Sequence, residues 1–76
     1  MESLDLSWNN FSQIPEELIG LKNLRYLDLS GNKINSASSN TPKLKNLHSL
    51  NLIYNKIQSL LEPLVELKRQ GVHIHI

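Results

Sequence analysis

The sequence predicts an α/β solenoid of three short units, in which parallel strands form one sheet and short helices or irregular turns lie on the opposite side. Two observations lead to this prediction. An eleven-residue pattern with fixed leucine and asparagine positions recurs three times at constant spacing. Within each copy, a Leu-x-Leu alternation has the period of two that is typical of a short strand with one buried face. Adjacent units then place their strands side by side along the inner curve of an arc.

The three copies of the pattern are MESLDLSWNNF, LRYLDLSGNKI and LHSLNLIYNKI, which begin at residues 1, 24 and 47, so their starts are 23 residues apart. Each copy fits apolar-x-x-Leu-x-Leu-x-x-Asn-x-apolar. The chain therefore divides into repeats 1–23, 24–46 and 47–69, followed by a closing strand at 71–76. The leucines expected to point into the core are Leu4, Leu6, Leu27, Leu29, Leu50 and Leu52.

This pattern resembles the leucine-rich repeat family, and the resemblance covers nearly the whole chain. The 23-residue period and the stretch NFSQIPEELIGLKNL, with Ile-Pro after the asparagine turn, are similar to the intracellular and bacterial type. The resemblance implies a short right-handed horseshoe arc with a parallel sheet on its concave face and short helices or irregular turns on its convex face. It also implies binding of a protein or peptide on the concave face.

Asn9, Asn32 and Asn55 occupy one position of the pattern. After each strand the chain must turn, which buries backbone groups that have no partner in the sheet. An inward asparagine side chain both donates and accepts hydrogen bonds, so it can satisfy these groups. Stacked copies are therefore expected to form a structural asparagine ladder, with no catalytic role.

Proline and glycine mark the expected helices on the convex side. Pro15, EELI and Gly20 have the order of a short helix, with proline in the first turn and glycine just past the end. The stretch EPLVELKRQG repeats this order, with Pro63 at the first helical position and Gly71 after the last turn. In the middle repeat, the polar stretch NSASSNTPK (residues 35–43) predicts an irregular and mobile loop. A core position of the convex side holds Ile14, Ala37 and Leu60 in the three repeats.

The last six residues, GVHIHI, predict a strand that terminates the sheet. Val72 and Ile74 are expected to align with Leu50 and Leu52, which would make the third repeat one residue shorter than the others. In that register the two apolar side chains cover the open end of the core. The two histidines between and after them then point to solvent.

His73 and His75 lie two residues apart on one face of this strand, so they could reach a common metal ion. Zinc, however, is generally held by three or four protein ligands. His48 is out of register with His73, and Asn51, its expected neighbour, is a poor zinc ligand. The sequence therefore predicts no metal site.

The outward residues of the strands form the candidate binding surface. Trp8, Tyr26 and Tyr54 are the only Trp and Tyr residues of the chain, and Trp, Tyr and Arg are enriched in binding hot spots. Trp8 and Tyr54 share a column with Gly31 between them, which leaves a gap for an inserted side chain; alternatively, these rings only cover the strand ends. The candidate partner-binding residues are Asp5, Trp8, Arg25, Tyr26, Asp28, His48, Asn51, Tyr54, His73 and His75.

Asp5, Asp28 and Asn51 form a polar column that can receive an arginine or lysine, or that remains a solvated face. Ser49, His48 and Asp28 supply the residue types of a hydrolytic triad, but no oxyanion element accompanies them. No nucleophile elbow or glycine-rich phosphate loop is present. Neither enzymatic activity nor a cofactor is therefore expected.

Composition restricts the partners. The formal net charge of +1 gives no electrostatic reason to expect nucleic acid or an anionic membrane. No apolar run approaches the roughly 20 residues of a membrane-spanning helix. With no cysteine and no recognisable signal peptide, a cytoplasmic location is expected.

Two functions from different classes remain open at this stage. The first is a protein-binding module that recognises a protein or peptide on the concave sheet. The second is a segment that stacks on further repeats or self-associates, because Met1 stands at the first pattern position with no polar cap before it. That arrangement would expose an unpaired strand edge and apolar side chains. A third arrangement makes these repeats the recognition part of a larger enzyme.

Overall fold

The fold was analysed in a computed structural model, which describes residues 2–58 and 61–76. Four strands, β1 (Ser3–Asp5), β2 (Tyr26–Asp28), β3 (Ser49–Asn51) and β4 (His73–His75), form one parallel sheet in chain order. Leu4 pairs with Leu27 and Leu27 with Leu50, so the first three strands follow the 23-residue period of the sequence (27−4 and 50−27). The predicted α/β solenoid with a parallel sheet is confirmed.

The core lies between the sheet and the convex segments. Leu27, Leu29, Leu50 and Leu52 are buried, whereas Leu4 in β1 and Leu6 just after it are partly buried and pack against the same core. The inward orientation predicted for these six leucines is therefore confirmed. Met1 and Leu60, which the pattern also places at apolar positions, lie outside the described residues.

The first convex segment is a 3-10 helix at Glu16–Gly20, which buries Leu18. Pro15 stands immediately before it in an extended conformation. Gly20 is the last helical residue rather than the residue after the helix, as was expected. A segment this short adopts the tighter 3-10 geometry, which is common in brief connections.

The third convex segment is an α-helix, α1 (Glu62–Arg69), in which Pro63 is the second residue rather than the first. It ends in a Schellman motif: the Gly71 N–H donates to the Lys68 carbonyl at 3.1 Å, and the Val72 N–H donates to the Leu67 carbonyl at 3.2 Å. Gly71 adopts the left-handed φ of 97° that this motif needs. The glycine stop predicted for α1 is confirmed.

The middle convex segment is irregular over residues 35–40, as predicted, apart from a turn and one bridge, and only its end is more regular than expected. Thr41–Lys43 form a short 3-10 helix with Pro42 in its first turn, and Ser36 forms a parallel bridge with Gln13 of the preceding repeat. Thr41 is buried at the position that leucine occupies in the other two repeats. A proline that fixes φ and a buried threonine hold a turn here, where the polar composition suggested an irregular loop.

The register predicted for the closing strand is wrong. Ile74, not Val72, pairs with Leu50, so the third repeat is one residue longer than the others (74−50 = 24) rather than one shorter. The physical reason is the Schellman motif, which uses buried Val72 to close α1 before the strand begins. Partly buried Ile74 then packs against the core and His73 starts the strand.

Candidate functional site

The solvent-facing side chains of the four strands form two rows, which together are called the sheet face. Register pairing places Ser3, Tyr26, Ser49 and His73 in the first row and Asp5, Asp28, Asn51 and His75 in the second. Six of the ten predicted binding residues thus lie side by side on the sheet. The remaining four flank it, since Arg25 and His48 precede strands, while Trp8 and Tyr54 follow them.

The second row holds its acidic side chains by local hydrogen bonds. Asp5 Oδ1 accepts bonds from the Ser7 N–H at 2.9 Å and from the Ser7 hydroxyl at 2.6 Å. Asp28 Oδ1 accepts the same pair from Ser30, at 2.9 and 2.6 Å. Among the described residues, Asn51 Oδ1 accepts only the backbone N–H two residues further on, at 3.0 Å. One oxygen of each carboxylate is thereby fixed, and the sequence repeat makes the two strands alike.

The bonds from the Ser7 hydroxyl and backbone lower the pKa of Asp5 below its ordinary value. The Asp5 carboxylate is therefore ionised at neutral pH. Asp28 pairs with it on the adjacent strand, and the two line a shallow depression of about 330 Å³ on the sheet face. Within residues 2–58 and 61–76, neither carboxylate forms an ion pair. The depression is suited to a cationic group.

An aromatic pair lies beside the start of the strands. The Tyr26 and His48 ring centroids are 6.1 Å apart with planes tilted by 48°, and half of Tyr26 is exposed. Arg25, next to Tyr26, reaches back to the preceding repeat, where its Nε lies 3.5 Å from a Glu2 carboxylate oxygen. This end of the sheet face therefore combines an exposed ring with a cation that is already paired.

A second aromatic pair lies beyond the strand ends. The Trp8 and Tyr54 ring centroids are 5.9 Å apart, with planes tilted by 31°. The Trp8 ring covers Gly31 so closely that a Cβ atom at that position would overlap it. Gly31 was expected to leave a gap for an inserted partner side chain, and that expectation is wrong because Trp8 itself fills the space. The outer surfaces of both rings remain exposed, at 71% for Trp8 and 74% for Tyr54.

The same three residues share a left-handed backbone conformation. The φ angles are 58° for Trp8, 70° for Gly31 and 62° for Tyr54. Glycine adopts this conformation without steric cost, but for a bulky aromatic residue it is a strained outlier. The alignment of Gly31 with two aromatic residues was the sequence signal for this turn, and sequence reasoning did not use it.

The asparagines at the pattern's ninth position connect neighbouring repeats. Asn32 is buried, and its Oδ1 accepts the backbone N–H groups of Asn9 and Phe11, each at 3.1 Å. Its Nδ2 donates to the carbonyls of Leu6 at 3.1 Å and Leu29 at 2.9 Å. One side chain thus satisfies backbone groups of both the first and second repeats.

Asn55 makes the corresponding contacts one repeat later. Its Oδ1 accepts the Ile34 N–H at 2.9 Å, and its Nδ2 donates to the Leu29 carbonyl at 2.8 Å. Asn9 differs because it is exposed and its Nδ2 donates within its own repeat, to the Leu6 carbonyl at 2.9 Å. Among the described residues, no hydrogen bond reaches Asn9 Oδ1.

The histidines of β4 have neighbours other than those expected. His73 pairs with Ser49 rather than Asn51, and His75 pairs with Asn51, because of the corrected register. Both side chains are exposed on the sheet face, as predicted. Across the part of the chain that the structure describes, no three His, Cys, Asp or Glu side chains are grouped to hold a metal ion. In the same residues, none of the helices has the length and apolar character to cross a membrane.

A groove beside the sheet was not predicted from the sequence. It measures about 410 Å³ and lies where the convex helices return to the strands. The available signal was the stretch LKNL, which occurs identically at 21–24 and 44–47. We call this the lysine groove, lined by Ile19, Leu21, Lys22, Leu24, Lys43, Leu44, Lys45 and Asn46.

Comparison with protein-family models gives two matches. A model described as a leucine-rich repeat matches residues 1–34, and a second, described as two copies of leucine-rich repeats, matches residues 22–68. No curated protein matches the chain. The second model alone covers more than half of the sequence, and the parallel sheet, the 23-residue register and the convex helices agree with both. The chain belongs to the leucine-rich repeat family.

Proposed function

We propose that this chain is a protein-interaction module whose sheet face binds a basic segment of a partner protein. Leucine-rich repeat domains generally mediate protein–protein interaction and are typically non-enzymatic. The observation that carries the choice of a basic partner is the pair of carboxylates, Asp5 and Asp28, on adjacent strands. An arginine or lysine side chain placed between them gains two charge-assisted contacts.

The form of the acidic row supports this choice. Serine hydrogen bonds hold one oxygen of each carboxylate, so little side-chain entropy remains to be lost on binding. Asn51 continues the row with an amide, which contributes hydrogen bonding without repulsion between like charges. The depression lined by these residues is open and shallow, so it fits an extended segment that lies across the strands.

The aromatic pairs supply anchors on both sides of the row. Tyr26 is half exposed next to the acidic row, and Trp8 and Tyr54 present their outer ring surfaces beyond the strand ends. Large exposed rings of this kind are frequent in binding hot spots. The strained backbone at Trp8 and Tyr54 supports the same conclusion, since such strain of roughly 1–3 kcal/mol per residue clusters at functional positions.

The proposal is tested by selecting peptides from a randomised display library on the immobilised domain. The selected peptides should be enriched in Arg and Lys, and their nuclear magnetic resonance footprint should cover the amides of β1–β3. Asp28→Asn and Tyr26→Ala should each weaken binding by about tenfold, equivalent to roughly 1.4 kcal/mol. Tyr54→Asn removes the ring while keeping a residue that tolerates left-handed φ, so lost affinity there does not reflect backbone strain.

Lys33→Ala is the matched control, because Lys33 is exposed and lies outside the strands. Circular dichroism of every variant checks that the fold is retained. Peptides that lack basic residues, or that perturb only amides away from the strands, would contradict the proposed sheet-face site.

A second candidate function is stacking on a further repeat at the β1 edge. The specific observation concerns Asn9. At the equivalent position, Asn32 Oδ1 accepts two backbone N–H groups of the preceding repeat, and Asn9 Oδ1 is placed to accept the same bonds from a further repeat. Leu4, Leu6 and Phe11 are partly buried at the same edge and pack on the core from one side only. Another repeat placed there would complete the hydrogen bonds and cover the apolar side chains.

Light scattering after size exclusion, over a concentration series, separates the two candidates. A stacking function predicts species larger than the 8.7 kDa chain that dissociate on dilution. Leu6→Lys, at the edge, should abolish them, whereas Ile53→Lys, at an exposed position away from that edge, should not. A monomer at every concentration would argue against self-stacking and would leave the binding proposal intact.

A further inference from the structure

The lysine groove has an apolar floor. Leu24 and Leu44 are buried at its base, and Ile19 packs on the core at its side. Leu21 is 36% exposed at the position where the equivalent Leu44 and Leu67 are 5% and 0% exposed. An apolar side chain is therefore presented to solvent at a repeat position that elsewhere is buried. The groove volume of about 410 Å³ lies within the roughly 300–1,000 Å³ range of ligand pockets.

The rim of the groove is positively charged. Lys22 and Lys45 come from equivalent positions of two repeats, and Lys43 lies on the second convex 3-10 helix. None of the described lining residues is acidic. Lys68, at the same position of the third repeat, continues the series in the last turn of α1. A chain with a net charge of only +1 thus concentrates three of its eight basic residues around one apolar depression.

The groove is also built on a fixed backbone. The Asn46 side-chain amide donates to the Lys22 carbonyl and thereby joins the first two repeats. The Leu24 N–H donates to the Leu21 carbonyl at 3.1 Å, and the Leu47 N–H to the Leu44 carbonyl at 3.3 Å. These turns hold both LKNL segments in one conformation, so the floor and the rim keep their relative positions.

We propose that the lysine groove is a second interaction site, which binds an acidic and apolar peptide segment of a partner protein. The apolar floor accepts a leucine-sized or larger side chain, and the three ammonium groups pair with Asp or Glu residues that flank it. This site is distinct from the sheet face, whose acidic row calls for the opposite charge. The domain is then able to hold two segments of opposite charge on two separate surfaces.

The positive rim and the apolar floor together favour an acidic, apolar peptide over a nucleic acid or a membrane. A nucleic acid offers phosphates but no aliphatic side chain for the exposed Leu21, and polyanions are bound mainly by charge. An anionic membrane presents a flat surface rather than a segment that enters a depression between two turns. An acidic peptide with adjacent leucines supplies both chemistries at the required scale.

The test uses a fluorescein-labelled peptide, EELLEE, and measures its anisotropy against the whole chain at low salt. The peptide should bind, and its nuclear magnetic resonance footprint should include the amides of Leu21, Lys22 and Lys45. The comparison peptide EEGGEE should bind about tenfold more weakly, because it lacks the apolar side chains. The peptide KKLLKK, which is suited to the sheet face, should leave the amides of Leu21, Lys22 and Lys45 unperturbed.

The double variant Lys43→Glu/Lys45→Glu should weaken EELLEE binding by about tenfold or more. Its matched control is Lys33→Glu/Lys56→Glu, which makes the same change in net charge at exposed lysines outside the groove. Equal losses in the two double variants would overturn the proposal, since only overall charge would then matter. A footprint on β1–β3, or equal affinity for EEGGEE, would overturn it as well.

Anionic vesicles of phosphatidylcholine and phosphatidylserine provide the last arm of the test. Sedimentation of the domain with these vesicles in the absence of EELLEE binding would assign the groove to a lipid surface and overturn the peptide proposal. Sheet-face variants such as Asp28→Asn should leave EELLEE binding unchanged. Failure at the groove is thereby distinguishable from failure of the proposed function of the sheet face.

Discussion

At the scale of single residues, the asparagines show how one side chain can connect two repeats. Asn32 uses both of its polar atoms, one to accept and one to donate, on backbone groups of the first and second repeats. Asn9 has no preceding repeat in the described residues and is exposed. We therefore expect asparagines at the same position of the pattern to contribute differently to the free energy of unfolding.

Replacing Asn32 by Ala should lower the free energy of unfolding by about 1–3 kcal/mol, because buried backbone groups lose their partners. Asn9→Ala should cost less, since its bonds are exposed. Urea denaturation followed by circular dichroism measures both. Equal losses for the two variants would contradict the difference in burial.

Gly31 lies at the closest approach between backbone and side chain in the aromatic turn. Gly31→Ala should destabilise the domain, with about 1–2 kcal/mol arising from the left-handed conformation and more from displacement of the Trp8 ring. In a Trp8→Asn background only the conformational part should remain. A double-mutant cycle by thermal denaturation measures this coupling, and additive effects would show that the ring does not rest on Gly31.

Asp5 gives the residue-scale prediction for pH. Because the Ser7 bonds lower its pKa in the folded state, the stabilising contribution is present above the ordinary value of 3.8 and is lost as pH falls through the folded pKa. Ser7→Ala should raise the Asp5 pKa towards 3.8. Carboxyl-carbon chemical shifts followed across an acid titration test this, and an unchanged midpoint in Ser7→Ala would refute the assigned cause.

At the scale of secondary-structure elements, periodicity predicted more than local composition did. The Leu-x-Leu alternation identified the first three strands and their register, since a pattern of period two admits only one buried face. The register of the closing strand was predicted incorrectly because the alternation of Val72, Ile74 and Ile76 allows either Val72 or Ile74 to lie opposite Leu50. The Schellman motif at Gly71 takes up Val72, and that geometry depends on tertiary packing of the helix.

The middle convex segment illustrates a second limit of sequence reasoning. The serine- and asparagine-rich residues 35–40 are irregular as predicted, but Thr41–Lys43 form a 3-10 helix that contacts the helices of both neighbouring repeats. The candidate site was likewise predicted only in part from the sequence. Register predicted which side chains share the sheet face, whereas the Trp8–Tyr54 contact and the lysine groove depend on how turns from different repeats meet.

Leu67 and Leu21 form a matched pair for testing the convex side. They occupy equivalent positions, but Leu67 is fully buried on the inner side of α1 while Leu21 is exposed at the lysine groove. Leu67→Ala should cost about 2–5 kcal/mol, as is usual when a core leucine is truncated. Leu21→Ala should change stability by no more than about 0.5 kcal/mol. Chemical denaturation measures the free energy of unfolding of both variants. Similar losses would mean that Leu21 contributes to the core.

At the scale of the whole molecule, opposite charges are separated onto two surfaces. The sheet face carries Asp5 and Asp28, while the lysine groove carries Lys22, Lys43 and Lys45. These two surfaces hold two of the seven acidic residues and three of the eight Lys and Arg residues. Total charge therefore describes this molecule poorly, and affinity for either class of peptide should fall as salt screens the exposed charges.

Burial of the core leucines increases from the first repeat to the third. We therefore expect the first repeat to unfold locally before the third. Leu4 in β1 and Leu6 just after it are partly buried, whereas Leu50 in β3 and Leu52 just after it are 0% and 1% exposed. The Leu6 amide, bonded to the Asp28 carbonyl, should therefore exchange its hydrogen faster than the Leu52 amide, bonded to the His75 carbonyl. Native-state hydrogen exchange measures both, and slower exchange at Leu6 would contradict opening from the first repeat.

The contact between Trp8 and Tyr54 joins the first repeat to the third across the second. Trp8 is the only tryptophan of the chain. Its intrinsic fluorescence is consequently a built-in optical gauge of whether the outer repeats remain in contact. A fluorescence transition that precedes loss of the far-ultraviolet signal would show the arc opening while its repeats are still folded, without the need for an added label.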